Sequence, residues 1–161
     1  MPTLPIYRAA IQADWIDYNG HLRDAYYGLI LSFALDDLMD HLGLDAAYRQ
    51  RTHCTLYTLE WHMQYLHEVK GSDALHLEMA VLDADSKRLL IGSRFMVTPA
   101  ARLVTRAEVL LMHVHQGDKP AGAALPAGIE GTLTTLKLDP AAAAAWGAGS
   151  RKIELKRRST G

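Results

Sequence analysis

Cysteine is almost absent from this chain, since Cys54 is the only one among 161 residues. One cysteine excludes an intrachain disulfide framework and a zinc site built from several thiolates. An excess of charge is also missing, because 17 lysine and arginine residues stand against 18 aspartate and glutamate residues, for a net charge of -1. So small a net charge creates no overall field for a polyanion, and we expect no nucleic-acid partner.

Long hydrophobic runs are missing as well. No apolar run approaches the roughly 20 residues that a membrane span needs, and the initial Met-Pro-Thr-Leu-Pro lacks the basic and apolar regions of a secretory signal. We therefore expect a cytoplasmic protein without membrane contact. His113 and His115 share one face of a predicted strand, but two histidines without a third ligand are a weak metal signal, so we predict no metal.

The composition is that of an ordinary globular protein, with 49% hydrophobic and 22% charged residues. Regular patterns occupy residues 1–116, whereas residues 117–161 form an extension rich in alanine, glycine and proline that ends in a basic tail. We interpret both parts as one single domain. The basic segment 151–158 is either a solvated terminus, the more ordinary interpretation, or a phosphate-binding element.

Residues 25–42 form the one long helical pattern in the sequence. Asp24 is available as N-cap, no proline interrupts the pattern, and Gly43 suits a left-handed C-terminal cap. Apolar residues cover most of the circumference, which predicts a central helix buried on more than one side.

Alternation of apolar and polar residues dominates the second half of the sequence. It predicts a half-buried strand at 55–65 and three further strands around 75–81, 89–97 and 102–115, after a short first strand within 4–12. We expect an α+β fold in which one long helix packs on a curved antiparallel sheet of five or six strands. Residues 117–131 are predicted to be a surface loop, and Asp139-Pro140 followed by alanines predicts a short capped helix.

The residues with the most chemical potential lie in segment 15–28, directly before the long helix. A carboxylate (Asp17), an amide (Asn19), a flexible residue (Gly20) and an imidazole (His21) fall within five positions. Asp17 is suited to act on a carbonyl as general base or as nucleophile. Asn19 either contacts substrate or only shapes the turn. His21 either orients water or the carbonyl, or caps the loop.

The helix that follows would supply a site for negative charge next to the Asp17 carboxylate. Its first backbone N–H groups, at Ala25, Tyr26 and Tyr27, are preorganised donors at the positive end of the helix dipole. Asp17 itself could instead be a structural loop acid.

The string Asp17-Tyr18-Asn19-Gly20-His21, with Asp24 and Tyr27 beyond it, resembles the acyl-CoA thioesterases of the hotdog fold, in the 4-hydroxybenzoyl-CoA thioesterase-like superfamily. The resemblance covers roughly residues 7–114. Segments 57–62, 65–66 and 85–89 look like the betainyl-CoA thioesterases of carnitine and betaine catabolism. The sequence departs from the general family at Asp24, where asparagine or histidine is commoner.

This resemblance implies an acyl-CoA thioesterase that acts on a small acyl-CoA, with betainyl-CoA as the preferred candidate. We expect no cofactor other than the coenzyme A of the substrate. The long apolar strand edges argue for self-association to a dimer or tetramer. A hotdog hydratase or dehydratase, and a non-catalytic acyl-CoA-binding module, are the alternatives.

A quaternary ammonium acyl group would need aromatic faces and a nearby carboxylate. Candidate rings belong to Trp15, Tyr18, Tyr26, Tyr27, Tyr57 and Trp61. Asp36 is the candidate carboxylate, since it lies within a mostly apolar helix, although it could equally point to water.

Four further residues are candidates for contact with the substrate. Glu60 and His62 share a strand face that is either polar exterior, the favoured interpretation, or a contribution to the site of a second subunit. Lys87 and Arg88, at a tight turn, are candidate contacts for the phosphates of CoA, although lysines at turns are usually only solvated.

Overall fold

The computed structural model describes residues 4–146. Its centre is an antiparallel sheet with the strand order β1-β3-β4-β5-β2, and a short sixth strand pairs with the end of β5. The strands are β1 (Tyr7–Ala9), β2 (Cys54–Tyr65), β3 (Ala74–Ala84), β4 (Arg88–Thr98), β5 (Arg102–His115) and β6 (Ala121–Gly122). The expected α+β architecture of one long helix and five or six antiparallel strands is confirmed.

Helix α1 (Asp24–His41) packs on the inner face of this sheet. Its buried residues follow the spacing i, i+3, i+4 along one stripe: Tyr27, Ile30, Leu31, Ala34, Leu35 and Leu38. Leu29 and Phe33 are 38% and 42% exposed. The prediction that this helix is buried on more than one side is therefore wrong for a single chain, because one sheet covers only one face.

The two ends of α1 differ in how well the sequence predicted them. Asp24 is not the N-cap, because the helix already begins there and Arg23 occupies the capping position without a side-chain hydrogen bond. At the other end Gly43 has φ +79°, and its N–H bonds the Asp40 carbonyl at 3.1 Å. The Leu44 N–H bonds the Met39 carbonyl at 2.8 Å, which completes a Schellman motif and confirms the glycine cap.

Strand β2 does not alternate strictly. Thr58 pairs with Leu111 and Glu60 with Leu110, so Leu59 is an extra residue in a β-bulge. Residues directly opposite in an antiparallel pair share a face. The bulge therefore moves the inward positions from even to odd numbers, and the prediction of one unbroken alternating face over 55–65 is wrong.

The segment after β5 contains more structure than its composition predicted. Helix α3 (Ala127–Leu136) begins within the stretch that we expected to be a loop, and its Leu133 is 1% exposed in the core. Burial of this leucine outweighs the low helix propensity of the glycines. Helix α4 (Pro140–Ala145) begins after Asp139, whose carboxylate accepts from the Ala142 N–H at 2.8 Å, as the sequence predicted.

Three smaller elements were not predicted: a 3-10 turn at Ala13–Trp15, helix α2 (Ala46–Thr52), and strand β6, which lies in the stretch expected to be a loop. The basic segment 151–158 lies outside the described residues. No helix within residues 4–146 is long and apolar enough to cross a membrane.

Candidate active site

The segment that carries Asp17 folds into a tight hairpin in front of α1. The Asp17 N–H bonds the His21 carbonyl at 2.8 Å, and the Gly20 N–H bonds the Asp17 carbonyl at 3.0 Å. Gly20 adopts φ +80°, which glycine accepts without steric cost. The local sequence therefore closes this turn by itself and brings Asp17 beside His21.

A long-range contact fixes where this hairpin points. The Leu22 N–H bonds the Val69 carbonyl at 2.8 Å, and His21 forms an isolated bridge with Lys70. The hairpin thus lies against the connection between β2 and β3. As a result the His21 Nε2 atom lies 3.2 Å from the Glu68 carboxylate.

The carboxylate of Asp17 is held by the backbone. Its Oδ1 atom accepts from the Asn19 N–H at 2.8 Å and from the His21 N–H at 3.0 Å. The hydrogen bond from the His21 N–H is the main reason that the pKa of the Asp17 carboxyl lies below its ordinary value. Desolvation raises this pKa, and the hydrogen bond from the Asn19 N–H lowers it further. Within residues 4–146 no hydrogen bond reaches Oδ2. Asp17 is therefore an ionised, oriented carboxylate with one uncommitted oxygen.

This carboxylate lines an open cavity of about 400 Å³. The wall combines the hairpin, the start of α1 and the end of β2 with the loop after it: Asp17, Asn19, His21, Leu22, Asp24, Tyr27, Tyr65, Leu66, His67 and Glu68. Three of these residues are carboxylic acids and none is lysine or arginine. The cavity is therefore acidic although the chain as a whole is nearly neutral.

The start of α1 adjoins the cavity, but its backbone donors are partly engaged. The Ala25 N–H contacts the Asp24 carboxylate at 2.9 Å, and the Tyr26 N–H bonds the Arg23 carbonyl at 3.1 Å. A substrate oxygen at this end of the helix would have to displace the Asp24 side chain. The dipole of the helix favours negative charge at the same place.

Two tyrosines form the aromatic part of the cavity. The rings of Tyr27 and Tyr65 meet edge to face, with centroids 5.2 Å apart and planes at 80°. The Tyr65 hydroxyl donates to the Asp24 carbonyl at 3.3 Å, which fixes its ring. Desolvation raises the pKa of Tyr27 to about 12, so its hydroxyl stays protonated at neutral pH and cannot serve as a base.

The other predicted aromatic residues lie elsewhere. Trp15 stacks on Tyr26 with centroids 5.0 Å apart, and neither lines this cavity. Tyr18 is 94% exposed at the tip of the hairpin. Trp61 packs against Gly28 of α1, whereas Tyr57, which pairs with Met112 before the bulge, lies on the outer face of the sheet.

Three predicted acidic and basic residues also lie outside the cavity of their own chain. Asp36 is exposed on α1. Glu60 and His62 stand opposite Leu110 and Glu108, on the outer face of the sheet. The position of Glu60 and His62 agrees with the exterior interpretation that the sequence favoured.

Lys87 lies in the hairpin turn between β3 and β4, and Arg88 is the first residue of β4. The Arg88 guanidinium is bound to Asp85, with Nε and Nη2 at 2.7 and 2.6 Å from Oδ2. From Arg88 to Phe95, which packs on Tyr27, the strand advances seven positions, roughly 23 Å at about 3.3 Å per residue. Contact between this turn and a ligand in the cavity needs a long ligand or a second copy.

Sequence reasoning missed more than half of the cavity wall. The lining residues that were not proposed for the site are Leu22, Asp24, Tyr65, Leu66, His67 and Glu68, of which Asp24 was predicted only as a helix cap. Tyr65 carried one usable signal, since it is an aromatic residue at the end of a predicted strand. No local pattern indicated Glu68 as a site residue, because its position depends on the pairing of 21–22 with 69–70.

Comparison with known proteins gives the class to which this fold and site belong. The family model described as the thioesterase-like superfamily matches residues 11–143. The chain belongs to this superfamily, so it is a thioester hydrolase, and its curled sheet around α1 is the hotdog fold.

Individual relatives agree with this assignment. The chain is 40% identical to the betainyl-CoA thioesterase of Pseudomonas aeruginosa over 111 residues, which are 69% of this chain and 70% of that protein. A crystal structure of a proposed thioesterase from Pseudomonas putida KT2440 is 35% identical, with a TM-score of 0.74 over 98% of this chain and 99% of that one. A Staphylococcus aureus protein solved in complex with CoA is 25% identical, with a TM-score of 0.76 over 83% of this chain and 85% of that one.

Proposed function

We propose that this protein hydrolyses the thioester bond of a small acyl-CoA and that Asp17 performs the chemistry. The observation that carries the proposal is the Asp17 carboxylate, held through Oδ1 by two backbone amides while Oδ2 is left for a substrate. An ionised carboxylate in this position is suited to deprotonate a water or to attack the thioester carbon directly. Both routes end with release of CoA thiol.

The proposed oxyanion site is the N-terminal end of α1, at Ala25, Tyr26 and Tyr27. Negative charge that develops on the carbonyl oxygen would replace the Asp24 carboxylate, which occupies the Ala25 N–H at 2.9 Å. Donors of this kind are typically worth about 10²–10³ in rate each. Asn19 and His21 would hold Asp17 in place through their amides, and the His21 imidazole would face the bound acyl group.

Betainyl-CoA is our preferred substrate. The similarity to a betainyl-CoA thioesterase supports it, and so does an acidic, partly aromatic cavity without lysine or arginine in its wall. We expect CoA to be the leaving group, and the CoA complex of a structural neighbour supports this expectation. The cytoplasmic location remains a prediction.

The decisive experiment is a thiol-release assay on a panel of acyl-CoAs that includes betainyl-CoA. We expect Asp17→Asn to lower kcat by about 10²–10⁴. The variant should fold, because an asparagine carbonyl oxygen can still accept from the amides of Asn19 and His21. Asp14→Asn is the matched control, since Asp14 is exposed three residues earlier and does not line the cavity.

Turnover of Asp17→Asn close to wild type would contradict the proposed role of Asp17. Hydration of enoyl-CoA without release of thiol would identify a hydratase instead. Tight binding of acyl-CoAs with no turnover across the panel would identify a binding module.

We also propose that the protein self-associates through β2 and the open side of α1. Strand β2 lies at the edge of the sheet with no neighbour on its outer side within residues 4–146. Leu29, Phe33, Leu59 and Trp61 are each between 38% and 49% exposed beside this edge. Exposed apolar side chains next to a long free strand edge are typical of an interface.

A further inference from the structure

The cavity has an acidic residue on each side of His21. Asp17 accepts from the backbone N–H of His21 at 3.0 Å, and Glu68 contacts the other end of the same residue, at Nε2, at 3.2 Å. The two acidic residues therefore line the same cavity, one at each end of His21. If Asp17 acts on the thioester carbon, Glu68 borders the space that the atoms next to that carbon occupy.

Glu68 is held in this place by the main chain around it. The Leu22 N–H bonds the Val69 carbonyl at 2.8 Å on one side, and the N–H groups of Leu66 and His67 bond the Val104 carbonyl at 2.9 and 3.0 Å on the other. The side chain itself is 74% exposed and lines the cavity. Its carboxylate is therefore positioned yet accessible to a ligand.

An aromatic surface lies in the same wall. Tyr65 is 52% exposed, and its hydroxyl donates to the Asp24 carbonyl at 3.3 Å. A ring held in this way presents an open surface to the cavity. Carboxylates and aromatic faces attract a cation that has no N–H to donate, because the attraction needs charge and not hydrogen bonds.

We propose that Glu68, together with the ring of Tyr65, selects acyl groups that carry a fixed positive charge beside the thioester. This inference rests on the proposed function and adds a residue that determines specificity. In a betainyl ester the quaternary nitrogen is two bonds from the carbonyl carbon. The receptor for the charge must therefore border the reactive carboxylate, as Glu68 does.

The alternative role of Glu68 is to hold His21, in which case it would affect all substrates alike. A pair of substrates separates the two roles: betainyl-CoA and 3,3-dimethylbutyryl-CoA, in which a carbon replaces the ammonium nitrogen with nearly the same shape. We expect Glu68→Gln to lower kcat/KM for betainyl-CoA about tenfold, mainly through KM, and to change kcat/KM for the neutral ester less than about twofold.

Two further sets of variants complete the experiment. Tyr65→Leu should also reduce the preference for the cation, whereas Tyr65→Phe should keep it because the ring remains. Glu78→Gln is the matched control, since Glu78 also faces a histidine, His76, at 3.8 Å, but lies outside the cavity wall. It should alter neither substrate.

Equal losses on both esters in Glu68→Gln, or no loss on either, would overturn the inference while the proposed function stands. If the wild-type protein releases thiol from neither ester and from no other acyl-CoA, the proposed function fails and the inference fails with it.

Discussion

At the scale of single residues, the candidate site depends on the hydrogen bonds that backbone N–H groups donate to one carboxylate. The Asp17 carboxylate accepts hydrogen bonds from the N–H groups of Asn19 and His21 through Oδ1 only. Hydrogen bonds from N–H groups stabilise the ionised form of a carboxyl group. Asp17 should therefore remain charged across the neutral range, and a fall in activity on mild acidification would have to come from another group.

Asp85 provides a test of electrostatics away from the site. Its Oδ1 accepts from the N–H groups of Lys87 and Arg88 at 2.9 and 2.8 Å, and Oδ2 is paired with the Arg88 guanidinium. The Arg88 side chain is the main cause that lowers the pKa of Asp85 from 3.8 to about 2. A carboxyl group with a lower pKa in the folded state stabilises the fold above its unfolded pKa and loses this effect as pH falls.

We therefore expect Asp85→Asn to lower the free energy of unfolding at pH 7 by about 0.5–1 kcal/mol, a range that allows for solvent screening of this half-exposed pair. The difference from wild type should shrink below a pH of about 4 and vanish only below pH 2, following the pKa values of Asp85. Urea unfolding at several pH values measures this. A difference that does not change with pH would show that the charge of Asp85 is not the cause.

At the scale of elements, helix ends and strand irregularities decide which side chains reach the cavity. The Schellman motif at Gly43 ends α1 and turns the chain toward α2. The bulge at Leu59 reverses the facing of β2, so that Tyr65 points to α1 and the cavity. Without the extra residue of this bulge, Tyr65 would lie on the outer face of the sheet.

Gly43→Ala should destabilise the protein by about 1–2 kcal/mol, because φ +79° is strained for any residue with a Cβ. No atom lies within 4 Å of the added methyl group, so the strained φ alone accounts for the loss. Gly131→Ala in α3 is the matched control, since its methyl group also meets nothing within 4 Å. Helix propensity predicts that this control is stabilised by up to about 1 kcal/mol. Denaturant unfolding of both variants measures the sign of the change in the free energy of unfolding. Equal changes in the two variants would contradict the role assigned to the positive φ of Gly43.

At the scale of the whole molecule, the sheet covers one face of α1 and leaves the other face and the β2 edge open. We expect wild-type protein to sediment as a dimer or tetramer and Phe33→Glu to shift it toward monomer, because a charge on the 42% exposed Phe33 would be desolvated in the interface. Ile6→Glu is the matched control, since Ile6 is 54% exposed next to β1, the opposite edge of the sheet. A wild-type monomer at all concentrations in sedimentation velocity would rule out the assembly.

Local patterns predicted a large part of this protein. The turn at Asn19-Gly20, the glycine end of α1 and the Asp139 cap of α4 all depend on residues within about five positions of one another. Alternation predicted the strands because the period of two follows directly from the extended backbone. Alternation did not predict the bulge at Leu59, because a single extra residue leaves the composition of the strand unchanged.

The sequence by itself determined that a carboxylate, Asp17, directly precedes the start of the long helix, since both come from one continuous segment, 15–28. Only the tertiary structure decided which residues face that carboxylate. Glu68 and Tyr65 reach the cavity through the pairing of 21–22 with 69–70 and through the register of β2 on β5. Such contacts join residues 40 or more positions apart, and their energy depends on packing and strand register that no local pattern contains.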